Sequence, residues 1–141
     1  MGVRPDPTFH ATAKLAMSAA AENYAFTVML GKDLSQSNGL AVVDVNPKSK
    51  TYGQIVHKVM TEAVGDEFHH FGWNACSASL DPMMGHAFVE RRYLIVPGIR
   101  SSRLYIFDVK EPLKAKIHKI CLLYTSPSPR DRTRSRMPSS A

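Results

Sequence analysis

Runs of about five to eight residues rich in aromatic and β-branched side chains recur along this chain, separated by turn residues roughly every 8 to 15 positions. Spacing of this kind favours short antiparallel strands and leaves no room for a long helix. Strands are expected over Tyr24–Leu30, Leu40–Val45, Gln54–Met60, Tyr93–Val96 and Ser102–Val109, with another beginning at Lys116–Ile120. Asn46-Pro47 and Pro97-Gly98 punctuate two of them. Gly31–Asn38, Thr61–Asp66 and Asp81–Gly85 read as loops or turns, and Glu67–Trp73 as extended or irregular. Before Tyr24, Pro5 and Pro7 precede a small-residue run, Ala11–Ala21. That run could form a short helix, but the prolines favour an arm laid across another surface.

The pattern predicts an all-β chain. LAVVDV (Leu40–Val45) and LYIFDV (Leu104–Val109) each close an apolar strand on Asp-Val, a weak internal echo of the kind that repeated propeller blades produce. A two-sheet sandwich stays open on pattern alone.

The grammar changes after Ile120. CLLYTSPSPRDRTRSRMPSSA has no periodicity and is dominated by Ser, Pro, Thr and Arg. Such a stretch could be an ordinary disordered basic tail. Reverse translation suggests another origin. Cys121–Ser126 is encoded by TGT CTC TTA TAC ACA TCT, which looks like a transposase end used in sequencing-library preparation, and the residues after it fit adapter, index and primer bases in order. Residues 1–120 are therefore expected to be the protein, and 121–141 a non-native, disordered, adapter-derived tail.

This matters for the charge. Of the formal +6, Arg130, Arg132, Arg134 and Arg136 against Asp131 account for three, leaving 14 basic and 11 acidic residues elsewhere. That is an ordinary soluble surface, without the footprint of a nucleic-acid binder. Cys121 lies in the tail and Cys76 stands alone, so no disulfide framework is expected. The polar opening MGVRPDP lacks a signal-peptide core, Asp6 stands where a myristoylation signal wants Ser or Thr, and no apolar run approaches a membrane span. A cytoplasmic location follows as the default.

Chemistry-bearing residues concentrate in Asp66–Cys76, DEFHHFGWNAC. Adjacent His69 and His70 invite a metal, since imidazole suits copper, zinc, iron and nickel. Neighbours on a regular strand point to opposite faces, so one ion can take both only if the backbone is irregular there. Otherwise one ligates and the other faces elsewhere. Glu67 and His69 would share a face, a carboxylate–imidazole pair suited to fixing a tautomer. From spacing alone, a histidine pair is more often surface or core than ligand, and Cys76 reads equally as a small core hydrophobe. His10, His57, His86 and His118 are scattered, and no Walker, dinucleotide, zinc-finger or nucleophile-elbow motif is present.

Five blocks in order carry a family resemblance: VRPDPTF (Val3–Phe9) with KLAM (Lys14–Met17), LAVVDVNPKSKTYGQIVHK (Leu40–Lys58), GDEFHHFGWNACSASL (Gly65–Leu80) and ERRYLIVPGIRSSRLYIFDV (Glu90–Val109). They resemble the N-terminal third of the selenium-binding protein/methanethiol oxidase family. The resemblance implies the first blades of a seven-bladed β-propeller, incomplete in this chain, because about two blades cannot close a ring. It implies oxidation of methanethiol with O2 and water to formaldehyde, hydrogen sulfide and hydrogen peroxide, with this chain alone inactive. It also implies copper, the cofactor associated with the bacterial enzymes, with His69 and His70 as ligands and a small thiol as substrate.

Two departures bear on selenium. Animal members carry a cysteine implicated in selenium binding where this chain has Gly53, and Ser79 replaces a second cysteine after the GWNxC block. Cys76 is left as the candidate for selenium or thiol attachment. The alternative to the oxidase is a non-catalytic selenium- or metal-binding protein.

Overall fold

The computed structural model describes residues 6–75, 80 and 89–122. Seven strands form two antiparallel meanders: β1 (Tyr24–Met29), β2 (Ser37–Asp44) and β3 (Ile55–Val64) in order β1-β2-β3, then β4 (Gly72–Trp73), β5 (Tyr93–Gly98), β6 (Arg103–Asp108) and β7 (Lys116–Leu122) in order β4-β5-β6-β7. The one α-helix among the described residues, α1 (Ala13–Ala16), is a single turn without a buried residue, capped by Thr12. It lies in the N-terminal arm, which reaches the second sheet where Asp6 accepts the Arg91 N–H at 3.0 Å. No helix among the described residues is long and apolar enough to cross a membrane.

The sheets stack face to face. Leu40 and Val42 of β2 meet Leu94, Val96, Tyr105 and Phe107 of the second sheet, all essentially inaccessible to water. Each such side chain contributes on the order of 1.5–3 kcal/mol by burial. Phe68 fills the space between, its ring 4.8 Å from that of Tyr105 and 6.4 Å from that of Phe107. His57 adds a polar tie, its Nε2 lying 2.9 Å from the Ala115 carbonyl oxygen. Each sheet is a run of consecutive strands, with no strand crossing from one to the other. The arrangement matches the neighbouring propeller blades that the family resemblance implies, in a ring these residues do not close.

The echo between LAVVDV and LYIFDV is structural. Tyr24 faces Asp44 as Tyr93 faces Asp108, and five more residue pairs follow in the same register in each case. The Asp44 carboxylate accepts the Asn46 N–H at 2.9 Å, and that of Asp108 accepts the Lys110 N–H at 3.2 Å. Even the bulge recurs, between Val42 and Val43 in one sheet and Ile106 and Phe107 in the other.

Several boundaries differ from expectation, among them the start of β2 at Ser37, inside the stretch expected to be a loop. β3 runs through Thr61 to Val64, because pairing with β2 and a hydrogen bond from the buried Thr61 hydroxyl to the Asn38 carbonyl (2.9 Å) outweigh its turn-like composition. Pro97 and Gly98 belong to β5 rather than ending it. Pro97 turns its backbone away from β6, so its missing N–H removes no bond from that ladder, and its carbonyl accepts from His69. β7 continues through Cys121 and Leu122, which pair with Leu104 and Arg103, two residues into the stretch expected to lack regular structure.

Candidate metal and thiol site

The segment between β3 and β4 is held at both ends and irregular in the middle. Gly65 makes the turn with φ +69°, a left-handed conformation that glycine adopts without strain. Asp66 then anchors the segment to the β5–β6 hairpin. One carboxylate oxygen accepts the N–H groups of Glu67 (2.9 Å), Arg100 (3.2 Å) and Ser101 (3.2 Å). The other accepts the hydroxyls of Ser101 and of Tyr105, the latter at 3.1 Å. Burial raises the Asp66 pKa, but the donors from Ser101, Glu67 and Tyr105 outweigh it and hold the carboxyl below the usual aspartate value. Gly98 permits this placement: a Cβ there would collide with the Asp66 Oδ2.

After Asp66, Phe68 drops into the core and bridges Gly98, and the His69 N–H donates to the Pro97 carbonyl at 3.2 Å. His70 then takes φ +49°. This left-handed residue breaks the strand's alternation, and the two imidazoles come together with ring centroids 3.9 Å apart at 80°. Both are exposed. Regular strand geometry would have separated them. The irregular backbone that the sequence left open as one option is the one the chain adopts.

The other candidates are placed differently. The Glu67 carboxylate lies 3.8 Å from the Arg100 guanidinium, and among the described residues it makes no hydrogen bond to either imidazole. Cys76 lies outside the described residues, as do Ser79 and His86. His57 is committed to Ala115, and His118 packs on the Tyr93 ring at 4.9 Å. Gly53 occupies an exposed turn with φ +76°. Two adjacent imidazoles suit copper or another imidazole-binding metal. Among the described residues no group of three His, Cys, Asp or Glu side chains could complete a site.

A recess of about 470 Å³ opens between β1 and β4, and neither His69 nor His70 lines it. Phe26, Phe71 and Leu94 give it apolar walls, and Phe71 directly follows His70. At its rim Arg91 stacks over the Trp73 ring at 4.7 Å and pairs with Glu22 at 2.7 Å. Lys110 pairs with Glu90 at 2.9 Å, so the rim charges largely compensate one another. The Asp66 anchor and the Arg91 stack escaped sequence reading, because both depend on residues brought together from distant strands. Asp66 adjoining a glycine before the histidine pair was the only local cue.

Comparison with known proteins agrees with the blocks singled out in the sequence. The family described as 56 kDa selenium binding protein matches residues 3–124. Selenium-binding protein 1 of Arabidopsis thaliana is 41% identical over 108 residues, 75% of this chain and 21% of that protein. Methanethiol oxidase of Mus musculus is 45% identical over 82 residues, 57% of this chain and 16% of the mouse protein. The crystal structure of a hypothetical selenium-binding protein from Sulfolobus tokodaii superposes with a TM-score of 0.76 at 51% identity, covering 83% of this chain and 26% of that one. The chain thus spans about a sixth to a quarter of the length of such relatives.

Proposed function

The chain belongs to the 56 kDa selenium-binding protein family, and from that premise we propose that it is the N-terminal portion of a copper-dependent methanethiol oxidase. In that reaction methanethiol, oxygen and water, in equal amounts, give formaldehyde, hydrogen sulfide and hydrogen peroxide. The observation that carries this reading is the meeting of His69 and His70 across a 3.9 Å centroid separation, on a backbone broken at His70. These imidazoles would hold the metal, with further ligands supplied from outside the described residues. Bound copper would supply the redox capacity that oxidation of a thiol by oxygen needs.

The chain's own contribution is positional. The Asp66 anchor and the buried Phe68 fix the segment on one side, and β4 fixes it on the other. The rings are thereby presented with little freedom to lose on binding. The recess walled by Phe26, Phe71 and Leu94 suits a small uncharged thiol. Alone, the chain is expected to be inactive, because its blades are unsatisfied and its ligand set is incomplete. The cytosol, where Cys76 stays reduced, is the proposed compartment.

The test is copper analysis and a methanethiol-dependent peroxide assay on the full-length protein, before and after His69→Ala and His70→Ala. Joint loss of copper and turnover supports the oxidase; turnover that survives without either imidazole removes them as ligands. The names of the plant relatives favour a second reading, a non-catalytic protein that holds selenium or a metal ion, with Cys76 as the selenium-carrying residue. Retention of copper or selenium without peroxide release would select it. For residues 121–141 we retain the adapter reading. A genomic locus encoding Cys121–Ala141 contiguously with Ile120 would refute it.

A further inference from the structure

Asn38 is a buried amide that the proposed chemistry does not use. It stands in β2 beside the buried Gly39 and Leu40, with 2% of its surface accessible. Pairing between β2 and β3 is irregular between Ser37 and Gly39, so Asn38 sits where the ladder breaks. Irregularities of this kind re-aim a side chain, often beside a functional site. The Thr61 hydroxyl donates to the Asn38 backbone carbonyl at 2.9 Å, and the side-chain amide reaches two other segments. Its Oδ1 accepts the Gly31 N–H at 2.7 Å, and its Nδ2 donates to the Asp66 carbonyl.

Asp66 is thus gripped from both sheets, its carboxylate by the β5–β6 hairpin and its carbonyl by Asn38 of β2. The Glu67 N–H, the other polar group of the same peptide, donates to the Asp66 carboxylate at 2.9 Å, so that peptide plane is fixed at both ends. Beyond it the segment is fastened to β5 and its turn: the Glu67 carbonyl accepts the Ile99 N–H at 2.9 Å, and the His69 N–H meets the Pro97 carbonyl at 3.2 Å. Those bonds place the imidazoles relative to the second sheet. The Asn38 amide adds the first sheet, which supplies the Phe26 wall of the recess. Both groups of this amide are engaged in a nearly dry site, where leaving either unpaired is costly, so the link is stiff. We propose that Asn38 is a positioning residue for the histidine pair: acting through the Asp66 carbonyl, it fixes the segment carrying His69 and His70 against the first sheet. Its effect on copper rests on the metal reading above, whereas the placement itself does not.

Residue-resolved hydrogen–deuterium exchange on the copper-free full-length protein tests it. In Asn38→Ala the amides of Glu67 and His69 are expected to exchange about 10-fold faster, through local opening of the segment. Asn38→Asp keeps the acceptor for Gly31 and loses the donor to Asp66, and should do the same. Val42→Ala removes core volume from the same strand and should leave both amides at the parent rate. With copper added, Asn38→Ala should bind it about 10-fold more weakly and change the electron paramagnetic resonance spectrum of the Cu(II) form, which Val42→Ala should not. Parent exchange rates in both Asn38 variants overturn the proposal. Equal acceleration in Val42→Ala also overturns it, because lost stability alone would then account for the effect. Parent copper affinity in Asn38→Ala overturns it where His69→Ala and His70→Ala lose the metal. Copper indifferent to the histidine variants as well refutes the metal reading instead, and exchange alone then decides the role of Asn38.

Discussion

Replacing Asp66 by alanine removes one carboxylate from five donors at once. Three are backbone N–H groups, of Glu67, Arg100 and Ser101, and two are the hydroxyls of Ser101 and Tyr105. Hydrogen bonds to a charged acceptor contribute on the order of 1.5–3 kcal/mol each when measured singly, but they are not additive when they share one group. Asp66 is half-buried, so water can reach some of the abandoned donors. A loss of about 3 kcal/mol follows for Asp66→Ala. Asparagine keeps an acceptor for the three N–H groups, and hydroxyls can rotate to accept from its amide. Asp66→Asn should therefore cost about 1 kcal/mol. Denaturant unfolding of the full-length protein measures both. The pH profile gives a second readout: a carboxyl whose pKa is depressed by folding stabilises fully above its unfolded value. That contribution is lost as pH falls below about 4 and through the folded pKa. Asp66→Asn should lack this component of acid sensitivity. An alanine variant within about 0.5 kcal/mol of the parent, in the range of an ordinary surface substitution, would refute the anchor.

Three further outcomes follow from the same geometry. Gly98→Ala should destabilise the protein by about 2–4 kcal/mol by forcing a Cβ onto the Asp66 carboxylate, but by much less in an Asp66→Ala background, a coupling that a double-mutant cycle reads directly. Hydrogen bonds from Arg92 pull the Asp108 carboxyl down to about 2; its stabilising contribution is complete above about pH 4 and is lost as pH falls towards 2, and NMR titration of Asp108 before and after Arg92→Ala checks it. His70→Gly removes the imidazole and keeps the left-handed backbone, whereas His70→Val adds strain of about 1–2 kcal/mol. Both should lose copper, and only the valine variant should also show a lowered melting temperature.

Part of the candidate site was legible because its residues are consecutive. The histidine pair, its aromatic neighbours and the following GWN stand in one short block, and family blocks of that length survive without knowledge of the fold. The broken alternation was different. Whether His69 and His70 share a side depends on one backbone torsion at His70, and nothing in the residue types sets it. Tertiary context does, through the Phe68 ring pulled into the core on one side and the β4–β5 pairing on the other. Glu67 shows the same limit. Alternation offered it to His69, while the β5–β6 hairpin brings Arg100 to 3.8 Å.

By itself the sequence determined the all-β class, most of the strands along the chain and the repeat ending on Asp-Val, because strand periodicity, turn residues and capping aspartates act over a few neighbouring positions. It did not determine where β3 and β5 stop, since Thr61 and Pro97 take their conformations from partners rather than from their own preferences. Nor did it reveal the Asp66–Gly98 contact, which joins positions 32 residues apart through space that only packing creates. That the first sheet has no counterpart of β4 among the described residues became visible only when the two registers could be compared. A strand edge is a property of what lies beside it, and the residues of β1 alone do not say what that is.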